Sequence, residues 1–339
     1  MSDNIKGVLG DLNKKYGAGS ISFIDKNDKR TIVEPISTNC FSLDQVFGCG
    51  GMPRGRIIDV FGGESSGKST IAMYLVAQIQ KNGGTAAWVD AEMCFTSEYA
   101  EKIGVDVSKL ILTQPQSGEQ ALDTVEALIK KAGDEVDIIV IDSTAALVPE
   151  KELENDITKA SVADQARLLS KGLRKITGIS SRSKTVIMFI SQVRDKIGMF
   201  VGPTTDSTGG KALKFYSSVR LKVQKIKTLK KGDVHIGNRL RITGYKNKVS
   251  FPNRIAEIDL YFEKGLDVTG DIFDVACKEG IIARGGTTYS YAGEKIAIGR
   301  DKSIEELNNN KELFVKIKEQ ILLIGQDKDE KALAEKKKR

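Results

Sequence analysis

The chain has 339 residues, 40% hydrophobic and 29% charged, and its 52 Lys+Arg against 45 Asp+Glu give a formal net charge of +7. This is the composition of a folding globular chain with room for about two domains, and it excludes a disordered or low-complexity protein; the positive balance fits either a polyanionic partner or a solubilising surface. Four cysteines (Cys40, Cys49, Cys94, Cys277) without C-x-x-C spacing and a single histidine, His235, argue against a metal-binding module, and with no basic-then-apolar leader or apolar run of about 18 residues the expectation is a soluble, cytoplasmic protein.

Along the chain, residues 3–16 place Ile5, Val8, Leu9 and Leu12 at helical spacing before Gly17 and Gly19, which predicts a short N-terminal helical arm. The apolar run Ile57, Ile58, Asp59, Val60, Phe61 then leads into Gly62, Gly63, Glu64, Ser65, Ser66, Gly67, Lys68, Ser69 and Thr70, and a helical stretch begins near Lys68. This G-x-x-x-x-G-K-[ST] run between a strand and a helix is a phosphate-binding loop, because glycines let backbone N–H groups turn towards phosphate oxygens at a helix N-terminus. Lys68 supplies a point charge for the β- and γ-phosphates and Ser69 a hydroxyl for Mg²⁺, so ATP and Mg²⁺ are the expected ligands.

Apolar, β-branched runs recur at 85–90, 136–142 and 185–191, alternating with helical segments, which predicts an α/β fold with a largely parallel central sheet and its sites at the strand ends. Asp142 closes one such strand as the matching metal-site carboxylate. The end of another, Trp88-Val89-Asp90-Ala91-Glu92, offers two acids for water activation; Glu92 is the choice and Asp90 the second. The helix expected at 163–182 has Ala166, Leu169, Leu173 and Ile176 on one stripe, with Arg167, Lys171, Arg174 and Lys175 around the rest. Segments 153–162 and 194–210 resist regular structure, as functional loops do. From about 265, short helical pieces and a Gly-rich hairpin, ARGGTTYSYAGEKI, predict a small α+β domain ending near 325, followed by a short basic tail (326–339) read as disordered.

Taken together, these features resemble the bacterial-type RecA recombinases over residues 5 to about 325. Beyond the phosphate loop, Ala212-Leu213-Lys214-Phe215-Tyr216-Ser217-Ser218-Val219-Arg220 looks like that family's most specific motif, and Lys246-Asn247-Lys248 is similar to another. The resemblance implies a RecA-type ATPase core (33–264) behind an oligomerisation arm (1–32), with a small C-terminal domain (265–325). It also implies helical filaments on single-stranded DNA, with ATP between adjoining subunits and Lys246 and Lys248 reaching the nucleotide in trans. Tyr99 would stack on adenine, and Gln192 would pass the state of the γ-phosphate to the loop that follows it.

The two irregular segments correspond to the family's DNA loops. Arg167, Arg174, Arg194 and Lys196 would supply charge, Met199, Phe200 or Val201 a wedge between bases, and Gly209 and Gly210 close backbone approach. Binding would be sequence-neutral, with pairing between strands carrying specificity. A second site for homologous duplex DNA would fall at Arg220, Lys225, Lys227, Arg239 and Arg241, a stretch that reads equally well as a solvated strand face. The resemblance extends to DNA repair, the SOS response and a LexA-like repressor as partner, and a cellular or viral source fits it equally. The chain departs from the family at Gly63 (commonly proline), at Thr96 (usually an acid), in Phe200 standing one place early, and in its basic tail. A hexameric helicase or RadA-like motor and a DNA-coating mediator paralogue are the alternatives.

Overall fold

A computed structural model of the chain describes residues 3–24, 31–154, 162–195, 205–207 and 210–336. It divides into two compact units, Met1–Glu34 and Pro35–Arg339. In the first, helix α1 (Asp3–Tyr16) ends where Gly17 takes a φ of +102°, a left-handed conformation that glycine adopts without Cβ strain, and returns its N–H to Asn13 O at 3.0 Å. The Asn13 side chain then closes the following turn, donating to Ile21 O at 2.8 Å and accepting from Ile21 N at 3.1 Å.

The second unit opens with β1 (Pro35–Ile36), α2 (Phe41–Phe47) and β2 (Met52–Pro53), β1 and β2 forming a small antiparallel pair. It continues with β3 (Ile57–Gly62), α3 (Lys68–Lys81), β4 (Ala86–Asp90), α4 (Ser97–Ile103), β5 (Leu110–Thr113), α5 (Gly118–Ala132) and β6 (Ile138–Asp142). Then come α6 (Glu150–Glu154), α7 (Val162–Ser183), β7 (Val186–Asp195), β8 (Thr205–Ser207) and α8 (Gly210–Tyr216). The large sheet is completed by β9 (Val219–Lys231), β10 (Val234–Asn247), β11 (Ile255–Tyr261) and β12 (Gly265–Leu266).

Its strand order is β12-β11-β10-β9-β3-β7-β6-β4-β5, with β8 paired to the end of β7. Strands β9, β3, β7, β6, β4 and β5 run parallel, whereas β9 to β12 pair antiparallel. The parallel centre is covered on both faces, which is why its strands read as unbroken apolar runs. Period-two alternation sends Ile58, Val60, Trp88 and Val140 to the core with α3, and Ile57, Val89, Ile139 and Ile141 to the core with α5 and α7.

One polar side chain interrupts β3. Asp59 is fully buried, and it is tolerated because Arg220, its partner in the β3–β9 register, reaches it at 2.7 Å while Ser191 donates to its other oxygen at 2.8 Å.

Beyond the sheet lie α9 (Val268–Lys278), an antiparallel sheet of β13 (Ile282–Gly285), β14 (Thr288–Tyr291) and β15 (Glu294–Ile298), and helices α10 (Arg300–Asn309) and α11 (Lys311–Lys336), with a third core of their own around Phe273, Tyr289, Leu307 and Ile317. The expected tail corrects here: the chain is helical to Lys336, and Ala, Leu, Glu and Lys in KALAEK are strong helix formers that extend a helix already nucleated upstream. Segment 153–162 also begins inside α6, while 155–161 lie outside the described residues. Among the described residues no helix is long and apolar enough to cross a membrane.

Candidate functional site

The phosphate loop joins β3 to α3 as the sequence predicts. Gly67 (φ +89°) and Ser65 (φ +52°) turn the backbone through left-handed conformations, and a Cβ on Gly62 would sit 2.2 Å from Val223 O. A Cβ on Gly63 would meet nothing within 4 Å, so the departure at this position is sterically free. Lys68 donates from Nζ to Gly63 O at 2.7 Å. Burial lowers its pKa, while Asp142, Glu92 and Glu64 favour the ammonium form.

Above the loop is a cavity of about 210 Å³ lined by Ser65–Thr70, Tyr99, Asn238, Leu260 and Phe262. Tyr99 is tied to the helix by a 2.9 Å hydrogen bond between its hydroxyl and that of Thr70. Ser66 Oγ and Asn238 Oδ1 are buried at this cavity with no hydrogen-bond partner, the condition of groups that await a polar ligand. Asn238, Leu260 and Phe262 carry no motif; they arrive through the pairing Asn238↔Leu260 between β10 and β11.

The acids sit at the ends of neighbouring strands, with Asp90 opposite Asp142 in the β4–β6 register. Asp90 is 2% exposed and accepts from Cys94 N (3.1 Å), Phe95 N (3.0 Å) and Gln114 Nε2 (2.9 Å), so its carboxylate is consumed in shaping the turn. Glu92 instead accepts from the Ser143 hydroxyl and from Gln192 Nε2 at 3.4 Å. Ser143, next in sequence to Asp142, is a member of this cluster that the sequence reading did not single out. Asp142 is pushed up to about 6 by burial, opposed by a hydrogen bond from Ser69 and reinforced by the charges of Glu92 and Asp90. Lys68, Ser69, Asp142, Glu92 and Gln192 thus converge at one end of the parallel sheet, able to hold a phosphate, a hydrated cation and a water.

Lys246 and Lys248 stand apart from that cavity. Lys246 donates to the carbonyls of Lys214 and Phe215 (the latter at 3.2 Å), and Lys248 to that of Phe215 at 3.2 Å, at the carboxyl end of α8. Burial lowers the Lys246 pKa to about 8, helped by the like charges of Lys248 and Arg220. Phe215 beside them is 71% exposed.

Of the residues expected at DNA, Arg194 lies in β7, where it pairs with Asp206 of β8, so the long segment leaves and rejoins the fold as a short ribbon; Gly210 opens α8. Lys196, Met199, Phe200, Val201 and Gly209 lie outside the described residues. Arg174 is exposed on α7, and Arg167 is exposed beside Asp164 at 3.2 Å. Arg220 corrects the expected second site: it is no surface cation but the buried partner of Asp59, packed 4.2 Å from the Phe61 ring centroid. Arg239 is engaged by Asp259 and Asp274, and Arg241 by Glu257 at 2.7 Å. Lys225 and Lys227 are exposed.

Two family models account for nearly the whole chain: the RecA N-terminal domain matches residues 3–267 and the RecA C-terminal domain residues 270–323. The chain is similar to the protein named "Protein RecA" of Chlorobaculum tepidum, with 46% identity over 310 residues, covering 91% of this chain and 89% of that one. Similar matches are the RecA proteins of Heliobacterium modesticaldum (44% over 314 residues, 93% and 90%) and of Nostoc sp. (46% over 314 residues, 93% and 87%). With its phosphate loop and the paired strand-end acids in place, the chain belongs to the RecA family, the DNA-dependent ATPases of homologous recombination and DNA repair.

Proposed function

We propose that the chain binds ATP with Mg²⁺ over the phosphate loop, assembles head to tail into a helical filament on single-stranded DNA, and couples ATP hydrolysis to homologous pairing and strand exchange. The observation that carries this reading is the convergence of Lys68, Asp142, Glu92 and Gln192 at one sheet end, while Lys246 and Lys248 lie elsewhere, at the carboxyl end of α8. A site divided in this way is completed by a neighbouring copy.

Backbone N–H groups of Gly62–Gly67 and the start of α3 cradle the phosphates, and Lys68 neutralises their charge. Tyr99 flanks the base. The cation would be held by one hydroxyl, one carboxylate, phosphate oxygens and water. Ser69 and Asp142, already hydrogen-bonded to each other, are those two groups. Mg²⁺ held there would supply positive charge that offsets the negative charge of the phosphates. Glu92 orients the attacking water and takes its proton, and Ser143 and Gln192 hold that carboxylate in place.

Gln192 precedes the loop 194–210, so its rearrangement at the phosphate moves the backbone that grips DNA. Lys246 and Lys248 of the adjoining subunit stabilise charge on the transferring phosphoryl group. Arg167, Arg174, Arg194 and Lys196 hold DNA phosphates with Gly209 and Gly210, and one of Met199, Phe200 or Val201 enters between bases. The functional division is 33–264 for catalysis and DNA and 265–325 for the small domain, working in the cytoplasm, with a LexA-like repressor as a further partner in the SOS response.

Electron microscopy of the protein with single-stranded DNA and a nonhydrolysable ATP analogue tests the assembly. Helical filaments are expected; closed rings alone would favour the hexameric motor instead.

A further inference from the structure

Between Lys246 and Lys248 stands Asn247, and its side chain is bonded at both ends. Nδ2 donates to Phe47 O at 2.8 Å and to Val46 O at 3.4 Å, two carbonyls at the carboxyl end of α2. Oδ1 accepts from Val249 N and Ser250 N, each at 2.9 Å. The last carbonyls of a helix lack intrahelical partners, so the Asn247 amide is a strong local tether for them.

A second feature shows how closely this strand end is fitted to that helix. Gly48 ends α2 with a φ of +75°, and a Cβ there would lie 2.3 Å from Ser250 Oγ. Successive side chains along a strand point to opposite faces. An asparagine drawn to α2 therefore turns Lys246 the other way, towards the carboxyl end of α8, and Lys248, one residue beyond the strand, reaches the same carbonyl of Phe215. The phase is set by an irregularity in the β9–β10 register between Gly244 and Lys246, after which Lys246 faces Arg220 and Asn247 faces Val219.

We propose that Asn247 is a positioning residue for hydrolysis: by anchoring the end of β10 to α2 it fixes the direction in which Lys246 and Lys248 are presented to the nucleotide of the adjoining subunit. This rests on the trans role given to the two lysines above. Lysine stems are flexible, so the backbone that launches them carries the geometry, and a misplacement of about 1 Å can cost on the order of a hundredfold in rate.

The test uses the full-length protein with single-stranded DNA. Asn247→Ala removes both halves of the tether; Asn247→Asp keeps the acceptor for Val249 and Ser250 and loses the donor to α2, which guards against a variant that fails to fold. Both should bind ATP with unchanged Kd and unchanged KM while kcat falls by at least about tenfold. A purely structural role predicts no rescue by mixing, so each variant is also mixed in equal amounts with Glu92→Gln. Roughly one head-to-tail interface in four then joins an intact pocket to correctly held lysines, and hydrolysis should rise above either parent.

A kcat within about twofold of the unsubstituted protein, or no rise on mixing, overturns the proposal. The double variant Lys246→Ala/Lys248→Ala separates the two layers. If it loses turnover and is rescued by mixing while the Asn247 variants are not affected, the trans reading stands and the positioning role falls. If it keeps full turnover, the trans reading itself is wrong and the positioning role goes with it.

Discussion

Replacing Arg220 by methionine probes the buried pair at the centre of the sheet. Arg220 Nε is 2.7 Å from Asp59 Oδ2, with side chains 6% and 0% exposed. Burial pushes the Asp59 carboxyl up, and Arg220 is the main influence pulling it back. Methionine keeps much of the volume over Phe61 but leaves the carboxylate with the Ser191 hydroxyl and the weaker influence of the Lys214 charge. Removing one partner of such a pair costs about 3–5 kcal/mol, against about 0–1 kcal/mol for an exposed pair. At about 2 °C per kcal/mol for a unit of this size, Tm should fall by roughly 6–10 °C.

The sign with pH follows. Without the cation, Asp59 in the folded chain binds its proton more tightly than in the unfolded chain, so the variant loses stability as pH rises above the ordinary carboxylate range of about 4. Thermal and urea unfolding of Arg220→Met, of Asp59→Leu and of the double variant measure the coupling, and the double variant should recover part of the loss. A deficit under about 1 kcal/mol at neutral pH, or none recovered, would mean that the pair does not act as a buried ion pair. The salt dependence of DNA binding should keep its slope in Arg220→Met, whereas loss of a phosphate contact would lower that slope by about one.

Lys68→Ala should abolish measurable nucleotide binding, while Glu92→Gln should keep binding and lose at least about a hundredfold in DNA-stimulated phosphate release; equal turnover in all three proteins would remove both residues from the site. Burial pushes the Asp142 carboxyl up to about 6, and Mg²⁺ needs its ionised form, so Mg²⁺-dependent nucleotide affinity should decline as pH falls through about 6. In Glu92→Gln, where a neighbouring negative charge is gone, the midpoint should move lower, and an upward move would contradict the assignment. Asp271 accepts from Ser42 N at 2.9 Å and from Cys40 Sγ at 3.3 Å, capping α2 from α9. Asp271→Ala should cost about 1–3 kcal/mol in urea unfolding, with a change inside experimental error counting against the cap.

The phosphate loop and Asp142 are legible in the sequence because their chemistry depends on spacing within one strand–loop–helix unit, so Gly62 to Ser69 announce themselves. The sequence already prefers Glu92 to Asp90 from its place at the strand end, but the turn hydrogen bonds that consume Asp90 are revealed by no residue pattern. Asn238, Leu260 and Phe262 reach the cavity through an antiparallel pairing far along the chain. Arg220 read as exposed because an arginine among alternating basic residues looks solvated; what buries it is Asp59, 161 residues earlier and adjacent only in the parallel register. The role of Asn247 is hidden in the same way, since its partners Val46 and Phe47 lie about 200 residues away.

The most direct test of the account is three-strand exchange between circular single-stranded DNA and homologous linear duplex, with ATP and Mg²⁺, run beside Lys68→Ala. Joint molecules maturing to nicked circles in the unsubstituted protein, and none in the variant, are the predicted result. DNA-stimulated ATP hydrolysis without any joint molecules would contradict it.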